Sequence, residues 1–155
     1  MRISPLPFLP LLLALGVASC ALTPKSASGP VFVAEQVPPG KAVIYFYRPK
    51  AFALSARTVF LSIPKEADNC FAMVNNGYKG YVAGPGPVTI GAAEVGTGKA
   101  FSDFSATLKT GETRYVTVKP EPAGIGGIAV KFQEVPAGDA LPEIKEFRLI
   151  DACPK

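Results

Sequence analysis

The chain has 155 residues, of which 16 are Lys or Arg and 12 are Asp or Glu, giving a formal net charge of +4. It contains no histidine, which excludes catalytic triads that use imidazole as the base and also the usual zinc sites. No G-x-S-x-G nucleophile elbow occurs and the basic residues form no run, so neither an enzyme nor a nucleic-acid-binding protein is predicted. We expect no catalytic residue, metal ion or cofactor.

The first residues have the pattern of a bacterial export signal, in which Arg2 precedes an apolar run at residues 6–17. About 20 apolar residues are needed to span a bilayer, and Pro10 would kink a spanning helix, so cleavage is favoured over retention. The sequence Val-Ala-Ser-Cys at residues 17–20 resembles the signal of bacterial lipoproteins. This resemblance implies that diacylglycerol is attached to the Cys20 thiol and that residues 1–19 are removed.

The lipoprotein signal implies a protein held in the bacterial cell envelope by fatty chains on Cys20. Ala21, in place of an aspartate, resembles the pattern of lipoproteins sent to the outer membrane, facing the periplasm. The alternative is an ordinary export signal cut near Ala18, with Cys20 a free or disulfide-bonded thiol. Residues 20–30 are small, polar and proline-containing, and they predict a flexible tether.

Residues 31–155 predict one all-β domain, an antiparallel β-sandwich of seven or eight short strands. The strongest strand lies at residues 41–48, which are apolar on both faces and indicate a central strand covered on both sides. Further strands are expected from runs with a period of two at residues 57–63, 70–74, 78–83, 88–92, 101–108, 112–119 and 128–133.

Three predictions concern the connections between these strands. The Asn-Gly pair at positions 76 and 77 is typical of a tight turn, and we expect a hairpin across it. Residues 120–127, rich in proline and glycine, are expected to form a loose segment. Only residues 141–147 have a pattern compatible with a short helical turn.

Cys70 and Cys153 are the cysteines left if Cys20 carries lipid. The envelope outside the cytoplasm is oxidising, so a disulfide bond between them is predicted. The alternative is two unrelated thiols, Cys70 in a strand and Cys153 at a frayed end.

Arg48 ends a strand that otherwise looks buried. It is predicted either to form an ion pair with an acidic neighbour or to present its cation to a ligand at the rim of the sandwich. Buried arginine more often serves the structure through paired hydrogen bonds.

Several segments resemble an uncharacterised family of bacterial lipoproteins, known as a domain of unknown function. They are the Y-F-Y-R-P strand at residues 45–49, the turn at 76–78, the Pro-Gly-Pro at 85–87 and the segment 108–115. That family is similar to small sandwich modules of the PEGA and carboxypeptidase-regulatory type. The resemblance covers roughly residues 41–119 and implies a fold and a location without an activity.

The leading hypothesis is a non-catalytic lipoprotein that presents its sandwich to another envelope protein, with exposed strand edges supplying the contact. The alternative is a module that binds a glycan or another small ligand through loops at one end of the sandwich.

Overall fold

A computed structural model describes residues 27–51, 54, 57–63, 70–94, 100–124 and 127–150. Within these residues the chain forms nine strands and one helix. In chain order they are β1 (Ala42–Arg48), β2 (Val59–Ser62), β3 (Cys70–Met73), β4 (Gly77–Ala83), β5 (Gly86–Glu94), β6 (Ala100–Leu108), β7 (Thr113–Ala123), β8 (Gly127–Val135), α1 (Ala137–Ile144) and β9 (Arg148–Leu149).

The strands form two stacked sheets, which confirms the predicted all-β sandwich. Sheet A has the order β8-β7-β1-β4-β9 and sheet B the order β3-β2-β5-β6. Most neighbours are antiparallel, but β1 runs parallel to β7 and β4 runs parallel to β9. The architecture is therefore a mixed sandwich and not a wholly antiparallel one, because the chain returns from sheet B to sheet A before it forms β7.

Strand β1 is buried along its whole length, Ala42–Arg48, as expected for a central strand covered on both faces. On the inner face of sheet A, Ile44 and Phe46 join the core between the two sheets. On the outer face, Tyr45 and Tyr47 belong to a second apolar cluster that sheet B does not touch. Sheet A therefore needs a separate cover on its outer face.

Two segments cover the outer face of sheet A. The first precedes β1, and its Phe32 ring meets the rings of Tyr45 and Tyr78 edge-on at centroid distances of 5.0 and 5.1 Å. The second is α1, which buries Ala140 and Ile144 against the same cluster. These two side chains are four residues apart and lie on one face of the helix.

Helix α1 begins four residues earlier than the predicted turn at 141–147 and ends at Ile144. Gly138 and Pro142, both poor helix formers, obscure it in the sequence. Its stability therefore comes from packing on sheet A.

The predicted hairpin at residues 70–83 is wrong, although its turn is present. Asn76 has a φ of 54°, as a tight turn requires, but β3 belongs to sheet B and β4 to sheet A. The Asn76 N–H donates to the Arg48 carbonyl at 2.9 Å, which fixes the start of β4 beside β1. The chain thus changes layers at this turn, and Phe71 packs into the core from sheet B.

The prediction of a loose segment at 120–127 is wrong in its first part, since β7 continues through Pro120 to pair with β8. Pro120 lies opposite Val130, whose N–H points away from β7 to the Ser102 hydroxyl at 3.4 Å. The proline nitrogen therefore also points away from β8. The proline nitrogen faces the β1 side of β7, where β1 pairs only as far as Thr117. The missing N–H of Pro120 therefore removes no hydrogen bond between strands.

We predict that the fold loses stability as the pH rises above about 10. Burial raises the pKa of Tyr45, Tyr47, Tyr78 and Tyr115 above their ordinary value of 10.0, so above that pH the folded state binds more protons than the unfolded state. Burial also lowers the pKa of Arg48 to about 10, which makes the stability of the fold rise with pH. This is one group against four tyrosines, so the net expectation is a loss of stability.

The measurement is a parallel titration of tyrosinate absorbance and circular dichroism. We expect these tyrosines to ionise together with the loss of β structure. Ionisation of all the tyrosines with unchanged circular dichroism would contradict the prediction.

Candidate functional site

Arg48 lies inside the protein, with 1% of its surface exposed. Its guanidinium donates to three backbone carbonyls, those of Arg57 at 2.5 Å, Leu54 at 2.7 Å and Met73 at 3.1 Å. Two of these carbonyls lie in the connection between β1 and β2, and the third ends β3. Arg48 therefore ties that connection and sheet B to the end of β1.

No carboxylate of the described residues lies within ion-pair distance of Arg48. Burial alone lowers the pKa of the guanidinium to about 10. Its Nε has no hydrogen-bond partner in the described part of the chain. Leu54, one of its acceptors, has a φ of 59°, a conformation that is uncommon for a residue other than glycine. The geometry is that of a structural arginine that holds an irregular connection in place.

The predicted lipidation site, Cys20, and the predicted disulfide partner, Cys153, lie outside the described residues. Cys70 lies at the start of β3 and takes part in a disulfide bond. Ile150, three residues before Cys153, packs in the same core cluster as Phe71. The bond partner of Cys70 lies outside the described residues, so the pairing of Cys70 with Cys153 stays a prediction.

An apolar groove lies on the outer face of sheet A, between β4 and the segment before β1. Among the described residues, four large apolar side chains are exposed, and three of them line this groove: Val31 (43% exposed), Val33 (73%) and Val82 (43%). The groove has a volume of about 460 Å³. We call it the valine groove.

Gly80 forms part of the floor of the valine groove, where it leaves the surface without a side chain. A Cβ atom built on Gly80 would lie 3.1 Å from Cε1 of Tyr45, so the tyrosine ring takes the space beside it. The Tyr45 hydroxyl accepts the N–H of Glu35 at 2.9 Å, which holds the covering segment over the ring. The groove is therefore framed by packed side chains.

The edge of β4 beside the groove is only partly paired. Strand β9 pairs with Gly77 and Tyr78, and the Ile150 N–H donates to the Tyr78 carbonyl at 3.0 Å. The backbone groups of Tyr78 thus point away from β1, and those of Gly80 and Val82 point the same way because strand residues alternate. No strand of the described residues pairs with this outward side of Gly80 and Val82.

Lys79 lies on the inner side of the same strand. Its ammonium nitrogen is 5.6 Å from the centre of the Phe71 ring, a cation–π contact at the margin between the two sheets. Within the described residues it has no carboxylate at ion-pair distance. We call the stretch of β4 at Gly80 and Val82, whose outward backbone has no partner strand among the described residues, the β4 edge.

A second, more polar groove of about 400 Å³ surrounds Arg114. Its guanidinium binds Glu112 and Glu134, each at 2.9 Å, and the Thr107 carbonyl, also at 2.9 Å. These contacts raise the pKa of Arg114, chiefly through the Glu112 hydrogen bond. They join β7 to β8 and to the end of β6, and they leave few donors of the guanidinium for a ligand.

Of the predicted site residues, the structure describes only Arg48 and Cys70, which lie at the end of β1 and at the start of β3. Arg48 is buried at one end of β1, and the valine groove lies toward the other. Four residues of the valine groove are not predicted from the sequence as site residues: Val31, Val33, Gly80 and Val82. The one available signal was the apolar Val-Phe-Val run at residues 31–33, directly before β1.

Comparison with protein-family models gives no match, and no curated protein matches the sequence. The described residues contain no helix with the length and apolarity needed to cross a membrane. They also contain no group of three or more acidic or cysteine side chains placed to hold a metal ion. The resemblance to a lipoprotein family stays a prediction.

We predict that Arg48→Ala lowers the free energy of unfolding by about 3 kcal/mol, or Tm by roughly 10 °C, because three carbonyls lose their donor. Arg48→Lys keeps the charge, but lysine lacks the planar guanidinium that donates to carbonyls on two sides. We expect it to lower the free energy of unfolding by about half as much as Arg48→Ala. Thermal denaturation measures both.

Lys119→Ala is the matched control, because Lys119 is an exposed cation on β7 and its removal should change stability by less than about 0.5 kcal/mol. If Arg48→Ala were as stable as this control, the structural role of Arg48 would be refuted.

Proposed function

We propose that this chain is a lipoprotein of the bacterial envelope, anchored through fatty chains on Cys20, whose non-catalytic sandwich binds another envelope protein. The observation that carries the proposal is the valine groove beside the β4 edge. Three exposed valines gathered in one groove are more than the scattered apolar residues of an ordinary surface. The neighbouring backbone of Gly80 and Val82 has no partner strand in the part of the chain that the structure describes, and an unpaired strand edge can be extended by a strand of another protein.

The chemistry of the groove favours a protein over a sugar as its occupant. Most of its lining is apolar, and the Tyr45 hydroxyl already accepts the Glu35 amide. A glycan would need several free polar side chains that converge on its hydroxyls. A protein segment can bury its own apolar side chains against the valines of the groove.

We predict that Cys20→Ser abolishes labelling by a fatty-acid analogue and moves the protein from the membrane fraction to the soluble fraction. The physical reason is that fatty chains, at about 0.8 kcal/mol per buried methylene, supply nearly all of the membrane affinity. Ser19→Ala, which alters the neighbouring residue and keeps the thiol, is the matched control. Membrane retention of Cys20→Ser, with no label on the parent protein, would refute the anchor.

We predict that a photo-crosslinking amino acid at position 82 captures a discrete envelope protein in intact membranes. Val33→Asp, which places a charge in the valine groove, should reduce that capture at least about tenfold, since tenfold corresponds to only about 1.4 kcal/mol. Because Val33 is 73% exposed, the substitution should leave Tm almost unchanged.

The control is Thr89→Asp, a similar change at an exposed position of sheet B, far from the groove. An equal loss of crosslinks in this control, or no effect of Val33→Asp, would count against the groove as the contact.

A further inference from the structure

We propose that the domain rests on the anionic headgroups of the bilayer that holds its anchor, through the protruding part of β7 and β8 and its paired lysines, Lys119 and Lys131. We call residues 118–123 and 127–131 the β7–β8 ribbon. The inference rests on the proposed function, because the anchor decides which end of the domain faces the bilayer. It concerns a different surface from the valine groove.

The anchor approaches one end of the sandwich. Ala27, where the described chain begins, lies beside Asn76 and Arg148. The Asn76 N–H donates to the carbonyl of Arg48, the last residue of β1, at 2.9 Å. Cys20 is seven residues before Ala27, and a flexible segment of that length has a root-mean-square reach of about 15 Å. We call this end of the sandwich the anchor end.

The β7–β8 ribbon extends from the same end. Strand β7 runs parallel to β1, and the last pair between them joins Tyr47 to Thr117. Strand β7 then continues to Ala123, where it is still paired with β8 at Gly127. At about 3.3 Å per residue, the ribbon reaches roughly 15 Å past the end of β1. It therefore projects toward the side from which the anchor comes.

Two cations face each other across the ribbon. Lys119 on β7 lies directly opposite Lys131 on β8, and both side chains are exposed. Their neighbours Val118 and Val130 belong to the core between the sheets, so both lysines lie on the outer face of sheet A. Like charges directly opposite each other destabilise an antiparallel pair. An anionic partner would remove this repulsion.

Exposed lysines and arginines outnumber acidic residues at the anchor end of the described chain. The cations there are Lys50, Arg57, Lys119, Lys131, Lys145 and Arg148, and the acidic residues are Glu94, Glu121, Glu143 and Glu146. The other end has equal numbers, with Lys41, Lys109 and Arg114 against Glu112, Glu134 and Asp139. Among the described residues, the excess of positive charge therefore lies at the anchor end.

The sequence of the undescribed residues that join elements at the anchor end does not offset this excess. Residues 52–53, 55–56, 95–99 and 125–126 contain one charged residue, Lys99. Residues 122–130, which include the end of the ribbon, contain none. An uncharged tip can enter the headgroup layer while lysine side chains behind it extend to the phosphates.

A lipid surface fits this charge better than a soluble anion. A lysine or arginine near an anionic leaflet strengthens binding by about fivefold, and the attraction falls off within a Debye length, about 8 Å at physiological salt. Only cations held close to the bilayer contribute, as those of the anchor end are. An acidic protein would have to compete with headgroups that the anchor keeps within reach at all times.

The proposed orientation is compatible with the proposed binding of a partner protein. The valine groove lies toward the end of β1 that is remote from Arg48. With the anchor end on the headgroups, the groove faces away from the bilayer and is accessible to a partner.

The first test uses the mature chain with Cys20→Ser, in which only the headgroup contacts are measured. It is sedimented with vesicles of phosphatidylcholine, or of equal parts of phosphatidylcholine and phosphatidylglycerol. We expect binding to the anionic vesicles alone, weakened by added salt. Equal binding to both vesicles, or no binding at millimolar lipid, would overturn the inference.

The ribbon itself is tested with Lys119→Glu. A glutamate opposite Lys131 forms an ion pair in place of the repulsion, so the variant should fold. It should bind the anionic vesicles at least about tenfold more weakly, because two charges are lost near the surface. Lys41→Glu, the same change at an exposed position of the other end, is the matched control and should change binding less than about twofold. Equal losses in the two variants would refute the ribbon as the contact.

Orientation is tested with the lipidated protein in nanodiscs that contain phosphatidylglycerol. Its lysines carry isotope-labelled methyl groups, which keep the charge, and a gadolinium headgroup broadens NMR signals close to the bilayer. We expect the signals of Lys119 and Lys131 to broaden most and those of Lys41 and Lys109 least. Uniform broadening, or the reverse order, would overturn the proposed orientation.

A soluble acidic polypeptide, polyglutamate, separates the two kinds of anionic partner. If it binds to the Cys20→Ser chain and phosphatidylglycerol vesicles do not, the surface serves an acidic protein and the lipid inference is wrong. Fatty-acid labelling of Cys20 and crosslinks from position 82, combined with failure of the anionic vesicles, would leave the proposed function standing and remove this inference alone.

Discussion

The burial of β1 on both faces is the constraint on which the rest of the structure depends. An antiparallel sandwich usually leaves the outer face of each sheet in water. Here the outer face of sheet A carries tyrosines and a valine that cannot be left exposed together, so the chain must provide a second cover. That cover consists of α1 and the segment around Phe32. The last side chain of β1, Arg48, is buried as well, and backbone carbonyls replace water as its hydrogen-bond acceptors.

The second cover also explains why a groove exists. Helix α1 lies over the Tyr47 side of sheet A, whereas the Phe32 segment crosses the Tyr45 side as a single extended chain. A single extended chain covers less of the sheet than a helix does, and Gly80 has no side chain to fill the space from the side of the sheet. The uncovered strip lies beside the stretch of β4 that β9 leaves unpaired. The apolar groove therefore exists because the cover of sheet A is thin at that place.

The sequence predicts the parts of the fold that local periodicity encodes. The two-faced apolar pattern of β1 and the alternation in β5 to β8 identify the strands, and the absence of histidine excludes imidazole-based triads and the usual zinc sites. The passage of the chain from sheet B to sheet A at Asn76 cannot be predicted from the local sequence, because the same Asn-Gly pair fits a hairpin or a connection between two sheets. The prolines and glycines of residues 120–127 predict a loose segment, because the sequence does not show that β1 ends before it reaches Pro120. The valine groove was missed because exposure is a property of the assembled sheets.

Residues that are bonded into the fold lie close in sequence to the proposed anchor. Gly29 and Pro30, assigned from the sequence to the tether, bond to Leu149 through the Gly29 N–H at 3.1 Å and the Pro30 carbonyl at 2.9 Å. A fully extended chain from Cys20 to Gly29 spans about 30 Å, so the link between the proposed anchor and the domain is short. The proposed anchor on Cys20 would hold the domain within this distance of the bilayer. A binding partner would then have to reach it at the membrane.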